Sequence, residues 1–475
     1  GNGPSGICLS FMLAGNWPYY TGEPHPADEM LTARLHFSTR SGNEECYDTA
    51  RLECLSSGLE GRIGGRPLAL LMDQLQHPCV DAGLDVPSLL TWKSVDQHPE
   101  HKVIDHIVLG KGQPGGSWQS MDPNVLTISL NRWMSLPDLD IRQWEMLIES
   151  EQFRNTKISV GTVAAYYKDY VRIKRLEQYF RCETIVTSVR TVCDPDINCQ
   201  KKDYNWIVDG FDKQTGKPFR YRCKRVVLAT GTTDLSNQLG IPGENSQPDW
   251  ITHDLNKLEL RLAIELEERQ IINPILVIGA GLSAADAIMA ARFRGIPVLH
   301  AFRDSSNEWN KPDDEKIRTI YDKLQGLPSS MYPEYHKVYE MMADGGTNYP
   351  LYRALPGYTL LGFTGNENDF NNTTGSEKQP IVTFSDPDGC IHTFRVSTVA
   401  ILIGYKPDLS YLKDNGIGLG KYSDKPIDGK SNPIDVDNFT YEVAKASKNG
   451  LYALGPLVGD NFVRYILGGA FAILG

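Results

Sequence analysis

The sequence has no CxxC pair, although it contains nine cysteines. A disulfide reductase needs a redox dithiol, whose usual spacing is CxxC, so this absence counts strongly against that class of enzyme. The cysteines are odd in number and scattered along 475 residues, which favours a reducing, intracellular compartment over a secreted disulfide framework. We expect the cytoplasm, with mitochondrial and nuclear pools left open.

A long apolar run and an excess of basic residues are also missing. The most apolar stretch, residues 273–293, contains Asp286 and two motif glycines, so we predict no transmembrane segment. Lys and Arg number 48 against 59 Asp and Glu, a net charge of −11, which argues against a nucleic-acid partner. Hydrophobic residues make up 41% of the chain, an ordinary balance for a globular protein of two or three domains.

No group of metal-ligating residues shows the spacing of a known metal site. The segments HPADE at 25–29 and HPEH at 98–101 combine histidine with acids, but we expect both to be solvated loops and predict no metal. No catalytic triad or pair of catalytic carboxylates stands out either. Such an absence is expected where an organic cofactor supplies the chemistry.

One stretch, ILVIGAGLSAAD at 275–286, has the complete pattern of a dinucleotide-binding βαβ unit. Gly279 follows the strand and makes the tight turn, Gly281 lets the backbone approach a pyrophosphate, and the small Ala284 packs helix on strand. The free N–H groups of the helix start, around Ser283, would hold the phosphates. Strand, loop, helix and next strand follow in order, so we predict a bound cofactor rather than an empty tight turn.

The strand after this unit ends at Arg303. A carboxylate there would bind the 2′-hydroxyl of NAD, whereas an arginine suits the 2′-phosphate of NADP. The sequence therefore predicts NADPH, with an ordinary surface arginine as the alternative. The residues predicted to bind NADPH are Gly279, Gly281, Ser283, Ala284 and Arg303.

The same spacing occurs in GNGPSG at residues 1–6, where Gly1, Gly3 and Gly6 stand at the glycine positions. The strand that should precede this loop is absent, and we expect it to lie upstream of residue 1. Two such loops indicate an α/β flavoprotein with two dinucleotide-binding domains, in which the first loop binds FAD and the second NADPH. We predict a Rossmann-like FAD lobe that is split in sequence, at 1–235 and 396–475, with a Rossmann NADPH lobe inserted at 236–395.

Four further segments resemble those of flavin monooxygenases, the first of them a turn of class B enzymes. GGSW at 115–118 resembles the GGxW turn beside the flavin, and 226–231 and 400–407 resemble the strand crossings between the two lobes. GLYALGPLVGDNFVR at 450–464 resembles the C-terminal flavin segment, in which Asp460 either holds the ribityl chain or caps the following helix. With the first loop, the residues assigned to FAD are Gly1, Gly3, Ser5, Gly6, Gly115, Gly116, Trp118, Gly459, Asp460 and Asn461.

Longer strings, including MYPEYHKVY at 331–339 and LYALGPLVGDNFVR, resemble the oxidative-stress-induced growth inhibitor family over nearly the whole chain. That resemblance implies an NADPH-dependent FAD monooxygenase that uses O2 and flavin C4a-peroxide chemistry on an unknown small molecule. It also implies roles in oxidative stress, growth restraint and cell death. By similarity to flavin-containing monooxygenases, Asn131 is the candidate catalytic residue, with Ser129 as the other register. We expect Arg132 to be a surface or partner-facing charge rather than a catalytic residue.

Two departures from the monooxygenase pattern leave an alternative open. The strand in HIVLGKG should end in an acid that holds the adenosine ribose, but Gly110 or Lys111 stands there. Residues 15–102, irregular in pattern apart from a helix at 67–76, exceed what a βαβ crossover needs, and we expect them to cover the cofactor or a protein partner. The alternative is a flavoprotein-like regulatory protein that binds partners and turns over little.

Overall fold

The computed structural model describes residues 1–40, 49–59, 65–79, 82–149, 156–192, 204–244, 249–267, 273–303, 324, 329, 332–364 and 380–475. The chain forms two compact units. Unit 1 comprises Gly1–Leu235 and Lys406–Gly475, and unit 2 comprises Ser236–Tyr405. The second boundary thus lies ten residues beyond the predicted 395/396 (405 − 395 = 10), because Val399–Ile401 is a strand of the unit 2 sheet.

The helices of unit 1 are α1 Pro4–Leu13, α2 Glu29–Arg40, α3 Thr49–Ser56, α4 Pro67–Gln76, α5 Ile141–Glu149, α6 Val160–Ile173 and α10 Ile466–Leu474. Its strands are β1 Trp17–Tyr20, β2 Leu90–Lys93, β3 Val108–Leu109, β4 Phe180–Arg181, β5 Thr184–Thr191, β6 Trp206–Asp212, β7 Pro218–Cys223, β8 Val226–Leu228 and β19 Leu451–Ala453. Two short strands, β9 Leu235–Ser236 and β18 Tyr405–Lys406, lie at the unit boundaries.

Helix α1 begins directly after the first glycine loop. Pro4 stands in its first turn, where the missing N–H loses no hydrogen bond, and Gly3 is the N-cap. The helix is apolar on all sides, and every residue from Ser5 to Met12 is buried. It packs against α10, which is also buried over almost its whole length. Two helices from opposite ends of the sequence therefore meet in the core of unit 1.

The 15–102 segment contains more regular structure than its sequence pattern predicts. Helix α4 lies at the predicted position, but α2, α3 and the antiparallel hairpin β1–β2 occupy stretches that we expected to be irregular. Residues 41–48, 60–64 and 80–81 lie outside the described ranges. Helix α4 packs against α10, so this part of the segment belongs to the unit 1 core.

The stretch 184–231 forms strands of two different sheets. Strands β5, β6 and β7 pair in antiparallel order, whereas β8 pairs in parallel with β19. The chain changes sheets at Lys224 and Arg225, between β7 and β8. The parallel pair brings the residues after β8 next to those after β19, where the GDN segment begins.

The elements of unit 2 are β10 Ile251–Thr252, α7 Leu255–Glu267, β11 Ile275–Ile278, α8 Leu282–Phe293, β12 Val298–Phe302, α9 Pro333–Asp344, β13 Tyr352–Pro356, β14 Thr359–Thr364, β15 Ile381–Ser385, β16 Ile391–Arg395 and β17 Val399–Ile401. Five of these strands form a parallel sheet with the order β10-β17-β11-β12-β13. The predicted βαβ unit is confirmed, as β11, α8 and β12 follow one another and the two strands pair in parallel. Strands β14, β15 and β16 form a separate antiparallel sheet.

Candidate functional site

The first glycine loop, residues 1–6, fits tightly against neighbouring backbone. A Cβ atom added to Gly6 would lie 2.0 Å from the carbonyl oxygen of Gly1, and one added to Gly1 would lie 2.0 Å from that of Ala229. At Gly3 the nearest atom to an added Cβ would be 3.9 Å away, so this glycine has space beside it. A pyrophosphate loop needs this combination, because its outer glycines pack closely and its middle glycine faces the ligand.

The turn after β3 is hydrogen-bonded to the first glycine loop. Asn2 donates from Nδ2 to the carbonyl oxygen of Gly112 (2.7 Å), and the N–H of Gly115 donates to the carbonyl oxygen of Asn2 (2.9 Å). Gly115 and Gly116 have φ values of +119° and +60°, and a Cβ atom on Gly116 would lie 2.9 Å from the Cα atom of Gly3. Two segments that the sequence assigns to FAD are therefore in direct contact, and Asn2, which sequence reasoning missed, joins them.

Trp118 and Ser5 contact other parts of unit 1. Trp118 is half-buried in the short 3-10 helix Gly116–Gln119, with its ring centroid 6.1 Å from that of Tyr167 in an edge contact. Ser5 lies in the first turn of α1, beside Gly455, where φ is +71° and an added Cβ atom would lie 2.3 Å from the serine Oγ. The start of α1 thus touches the loop that follows β19.

That loop carries the GDN segment. Gly459 has a φ of +95° and ends a short 3-10 helix. Asn461 donates from Nδ2 to the carbonyl oxygens of Gly429 (3.2 Å) and Gly459 (3.1 Å). These hydrogen bonds hold the turn that presents Asp460 in a defined position.

Asp460 is buried, with 4% exposure, and accepts a hydrogen bond from the Tyr441 hydroxyl to Oδ2 (2.9 Å). The guanidinium of Arg66 lies 5.5 Å from the Tyr441 ring centroid and donates to the carbonyl oxygen of Val458 (3.1 Å). Burial raises the pKa of Asp460 to about 7, and the Arg66 charge opposes that rise. The capping hypothesis for Asp460 is wrong, because neither the 463–465 turn nor α10 has a side-chain cap.

Lys111 occupies the place where the ribose-binding acid is expected. Its ammonium forms ion pairs with Asp234 (3.2 Å) and Asp408 (3.1 Å). The lysine is exposed, whereas the two carboxylates are partly covered. The residue therefore links three segments of unit 1 and presents no carboxylate at the end of β3.

Asn131 is built into the fold around the 131–156 segment. Its side chain is 1% exposed, and its Oδ1 accepts hydrogen bonds from the backbone N–H groups of Arg132 (2.9 Å) and Thr156 (3.3 Å). Its Nδ2 donates to the Glu145 carboxylate (3.3 Å). Ser129, the other candidate, is also buried. These contacts assign Asn131 a structural role and give no support to the predicted catalytic one.

Arg132 is buried, so its predicted surface position is wrong. Its Nη1 forms an ion pair with Oδ1 of Asp85 at 2.6 Å, and Arg142 binds the other oxygen of the same carboxylate at 2.7 Å. Asp85 belongs to the 15–102 segment. That segment therefore supplies one carboxylate that compensates these two buried arginines, and Asp140 supplies a second one to Arg142 at 2.7 Å.

The second glycine loop, residues 279–284, shows the same division between packed and open positions. Gly279 has a φ of +126°, and an added Cβ atom would lie 2.3 Å from the carbonyl oxygen of Leu402. At Gly281 an added Cβ atom would meet nothing within 4 Å. Ser283 is half-buried at the start of α8, and Ala284 is fully buried against the sheet. The loop thus has the geometry that a dinucleotide pyrophosphate requires.

His300, on strand β12, contacts the backbone of this loop, a role that the sequence did not reveal. Its imidazole is fully buried on β12, with Nε2 2.6 Å from the carbonyl oxygen of Gly279 and Nδ1 2.8 Å from the Tyr352 hydroxyl. Because a carbonyl oxygen only accepts, Nε2 carries the proton and Nδ1 accepts from tyrosine. Burial lowers the pKa of His300 to about 4, so the ring is neutral and fixed in one tautomer.

The MYPEYHKVY string, described here over residues 332–339, contributes a contact to helix α8. Tyr335 on α9 donates from its hydroxyl to Oδ1 of Asp286 on α8 (2.9 Å). Burial raises the pKa of Asp286 to about 6, and the charges of Glu259 and Glu334 add to this rise. The string therefore supports the helix that follows the second glycine loop.

Arg303 directly follows β12 and is exposed. It lies at the carboxyl end of a parallel strand, the edge of such sheets where ligands bind. The position is consistent with a phosphate contact.

The two segments predicted to be solvated loops each place a histidine in the interior. His25 is 6% exposed and His101 is 3% exposed. In the second segment, His98, Glu100 and His101 bring one donor atom each to within 4.8 Å of one another. The prediction of solvated loops is therefore wrong for these histidines.

The chain is similar over its whole length to two human proteins. It is 40% identical over 484 residues to oxidative stress-induced growth inhibitor 1 of Homo sapiens, covering 100% of this chain and 93% of that protein. It is 35% identical over 504 residues to oxidative stress-induced growth inhibitor 2 of Homo sapiens, covering 100% and 91%. The chain belongs to the oxidative stress-induced growth inhibitor family. No protein-family model matches it.

Solved structures identify the fold of this growth inhibitor family member. Bacillithiol disulfide reductase Bdr from Bacillus cereus superposes with a TM-score of 0.52 at 16% identity, over 86% of this chain and 95% of that one. Ornithine hydroxylase PvdA from Pseudomonas aeruginosa gives 0.50 at 12% identity, over 86% and 95%. The fold is that of flavoproteins with two dinucleotide-binding domains, as the two glycine loops predict. No helix among the described residues of this family member is long and apolar enough to cross a membrane.

Proposed function

We propose that this chain is an NADPH-dependent FAD monooxygenase that acts in the oxidative-stress response and restrains cell growth. The observation that carries the proposal is the direct contact between the first glycine loop and the Gly115–Gly116 turn in unit 1. A complete second glycine loop in unit 2 supports a second dinucleotide. FAD and NADPH fit these two loops because Gly3 and Gly281 each leave space beside the backbone.

In unit 1, the N–H groups at the start of α1 would bind the FAD pyrophosphate, with Ser5 in the first helical turn. The Gly115–Gly116 turn would lie beside the flavin, and the 459–461 turn would present Asp460 to the ribityl chain. When bound, FAD would supply the redox chemistry that accepts hydride from NADPH and activates O2. The protein's part is to bind, orient and exclude water, so no acid–base pair is required of it.

In unit 2, the start of α8 would bind the NADPH pyrophosphate, and Arg303 would bind the 2′-phosphate. His300 would hold the Gly279 carbonyl in the position that the turn requires. The ring acts on the cofactor only through the loop backbone, so His300 is a positioning residue.

A second candidate is a regulatory flavoprotein that binds protein partners through the 15–102 segment and turns over little. Lys111, which replaces the usual ribose-binding acid, favours it. Weaker binding of FAD would suit a regulatory protein that turns over little. The two candidates differ in whether NADPH reduces bound flavin.

The test uses the purified chain and a Gly279→Ala variant. We expect the chain to show a flavin absorption spectrum after incubation with FAD, NADPH to bleach that spectrum without air, and O2 to restore it. Gly279→Ala should keep the flavin spectrum but lose the bleaching, because its Cβ atom would meet the Leu402 carbonyl oxygen at 2.3 Å in unit 2 only. Failure of FAD to bind overturns the proposal. Flavin that binds but is not bleached by NADPH supports the regulatory candidate.

A further inference from the structure

A cluster of metal-ligating groups lies in unit 1 on the turn that follows β2. The backbone N–H of His98 donates to the carbonyl oxygen of Ser94 (3.0 Å), and that of His101 donates to the carbonyl oxygen of His98 (3.0 Å). This turn places His98, Glu100 and His101 together, with one ligand atom of each within 4.8 Å of the other two. Among the described residues, this is the group of three histidine, cysteine or acidic side chains that lie close enough together to hold a metal ion.

His101 is held in the orientation of a metal ligand. Its Nδ1 lies 3.0 Å from the carbonyl oxygen of Gly15, so Nδ1 carries a proton and the lone pair of the neutral ring is on Nε2. A ligating histidine usually donates its other ring N–H to a backbone carbonyl in this way. The ring also stacks on Trp17, with centroids 4.3 Å apart, and Nε2 lies 2.7 Å from the Tyr19 hydroxyl.

His98 and Glu100 complete the donor set from the solvent side. Nδ1 of His98 lies 2.6 Å from Oε1 of Glu100, and the His98 ring stacks on His101 with centroids 5.2 Å apart. The Glu100 side chain is 63% exposed and that of His98 is 28% exposed. One face of the cluster is therefore open, while the buried His101 fixes the other.

We propose that His98, Glu100 and His101 bind a divalent transition-metal cation, for which Zn²⁺ is the reference ion. Two imidazole nitrogens and one carboxylate oxygen form a donor set suited to Zn²⁺, whereas Ca²⁺ and Mg²⁺ prefer oxygen ligands alone. The cation would take the place of the proton between His98 and Glu100. It would also displace the Tyr19 hydroxyl from Nε2 of His101. Three protein ligands leave a coordination position for water.

The proposed ion would cross-link the turn that follows β2, which His101 anchors to the carbonyl oxygen of Gly15. His101 is bonded to Gly15 before β1 and to Tyr19 within it, whereas the turn begins directly after β2. Binding to the folded chain would therefore stabilise unit 1 by an amount that rises with the logarithm of the free metal concentration, independently of FAD and NADPH.

Metal binding is tested on the full chain after removal of ions with a chelator. We titrate Zn²⁺ in competition with a chromophoric chelator and compare the chain with His98→Ala and Glu100→Gln, of which the first position is half-buried and the second exposed. We expect one Zn²⁺ equivalent and an affinity loss of about 10- to 100-fold or more in each variant. Co²⁺ should give an absorption spectrum of nitrogen and oxygen ligation that both variants lose.

The matched control is His392→Ala. His392 forms a similar histidine–carboxylate pair with Asp386 at 2.8 Å, but among the described residues no third ligand joins that pair. This variant should bind Zn²⁺ as the unmodified chain does. The proposal is overturned if the chain binds no Zn²⁺, if His98→Ala and Glu100→Gln bind it unchanged, or if His392→Ala loses as much affinity as they do.

Discussion

The guanidinium of Arg464 and the carboxylate of Asp73, 391 positions apart, form a buried ion pair with Nε and Oδ1 2.8 Å apart. Their side chains are 4% and 1% exposed. His77 lies 3.3 Å from the same carboxylate oxygen, and the Arg464 guanidinium lies 5.4 Å from the Trp133 ring centroid. The pair joins α4, in the 15–102 segment, to the GDNFVR segment that is expected to face the flavin.

Asp73→Asn should destabilise unit 1 strongly, because it leaves the buried guanidinium without this carboxylate. Removal of one partner of a buried pair costs about 3–5 kcal/mol. Urea unfolding measures the loss, with Arg172→Gln as the control, since Arg172 is 66% exposed in its pair with Asp169 and should contribute about 0–1 kcal/mol. Equal losses in the two variants would contradict the importance of burial.

Gly116→Ala should weaken FAD binding by about 10-fold or more, since about 1.4 kcal/mol corresponds to a factor of ten. The new Cβ atom would press on the Cα atom of Gly3 at 2.9 Å and shift the first glycine loop. Quenching of flavin fluorescence gives the dissociation constant. Gly216→Ala is the matched control, because Gly216 also has a positive φ, +68°, but has nothing within 4 Å of its added Cβ atom. A similar FAD affinity in both variants would argue against the loop contact.

Acid should destabilise unit 2 through His300. Burial lowers its folded-state pKa to about 4 from 6.5, so between these values the unfolded chain binds a proton that the folded chain lacks. The contribution is complete above pH 6.5 and is lost as the pH falls to about 4, roughly 3 kcal/mol in all. Urea unfolding of the chain and of His300→Gln should show a stability difference that shrinks by this amount on acidification. Parallel pH profiles would exclude the effect.

Asp460 should make unit 1 less stable as the pH rises, whereas His300 should make unit 2 less stable as the pH falls. Burial raises its pKa to about 7 from 3.8, so the folded chain holds a proton that the unfolded chain has lost, and stability falls as the pH rises through 7. Asp460→Asn does not titrate and keeps an oxygen that accepts from Tyr441. Without FAD, we expect this variant to gain up to about 4 kcal/mol on the unmodified chain between pH 4 and pH 8. A constant difference across that range would contradict the raised pKa.

Arg303→Ala should weaken the binding of NADPH far more than the binding of NADH, because only NADPH carries the 2′-phosphate that a guanidinium binds. The measurement is the dissociation constant of each cofactor. A change of about 10-fold in the ratio of the two constants corresponds to about 1.4 kcal/mol. Arg395→Ala, at another exposed arginine of unit 2, should leave the ratio unchanged. Equal weakening of both cofactors would remove the proposed phosphate contact.

Local patterns were sufficient to predict the two glycine loops and the order of the elements around the second. The spacing of Gly279, Gly281 and Ala284, between a strand and a helix, is set by neighbours in sequence, so a short window contains the whole signal. The same holds for Pro4 at the start of α1 and for the apolar residues behind it. The family resemblance added the Gly115–Gly116 turn and the GDN segment.

Long-range contacts could not be predicted, because no local pattern encodes them. Asp73 and Arg464 look like ordinary surface charges until α4 and α10 pack together. His101 is buried because Tyr19 and Gly15, more than 80 positions away, surround it. The predicted catalytic role of Asn131 rests on similarity to flavin-containing monooxygenases, in a segment whose register is uncertain. In the structure its amide oxygen accepts hydrogen bonds from nearby backbone N–H groups. His300 gives no sequence signal, since one of its partners is a backbone carbonyl and the other, Tyr352, is 52 positions away.

The division of unit 1 also determines the order in which the protein can fold during synthesis. Unit 2 is continuous, so it can fold as soon as it leaves the ribosome. Helix α1 is synthesised about 450 residues before its partner α10, an interval of about 20–90 seconds at the usual rate of about 5–20 residues per second. During that interval the part of this apolar helix that packs against α10 is uncovered, and the nascent chain is exposed to chaperone capture and to aggregation.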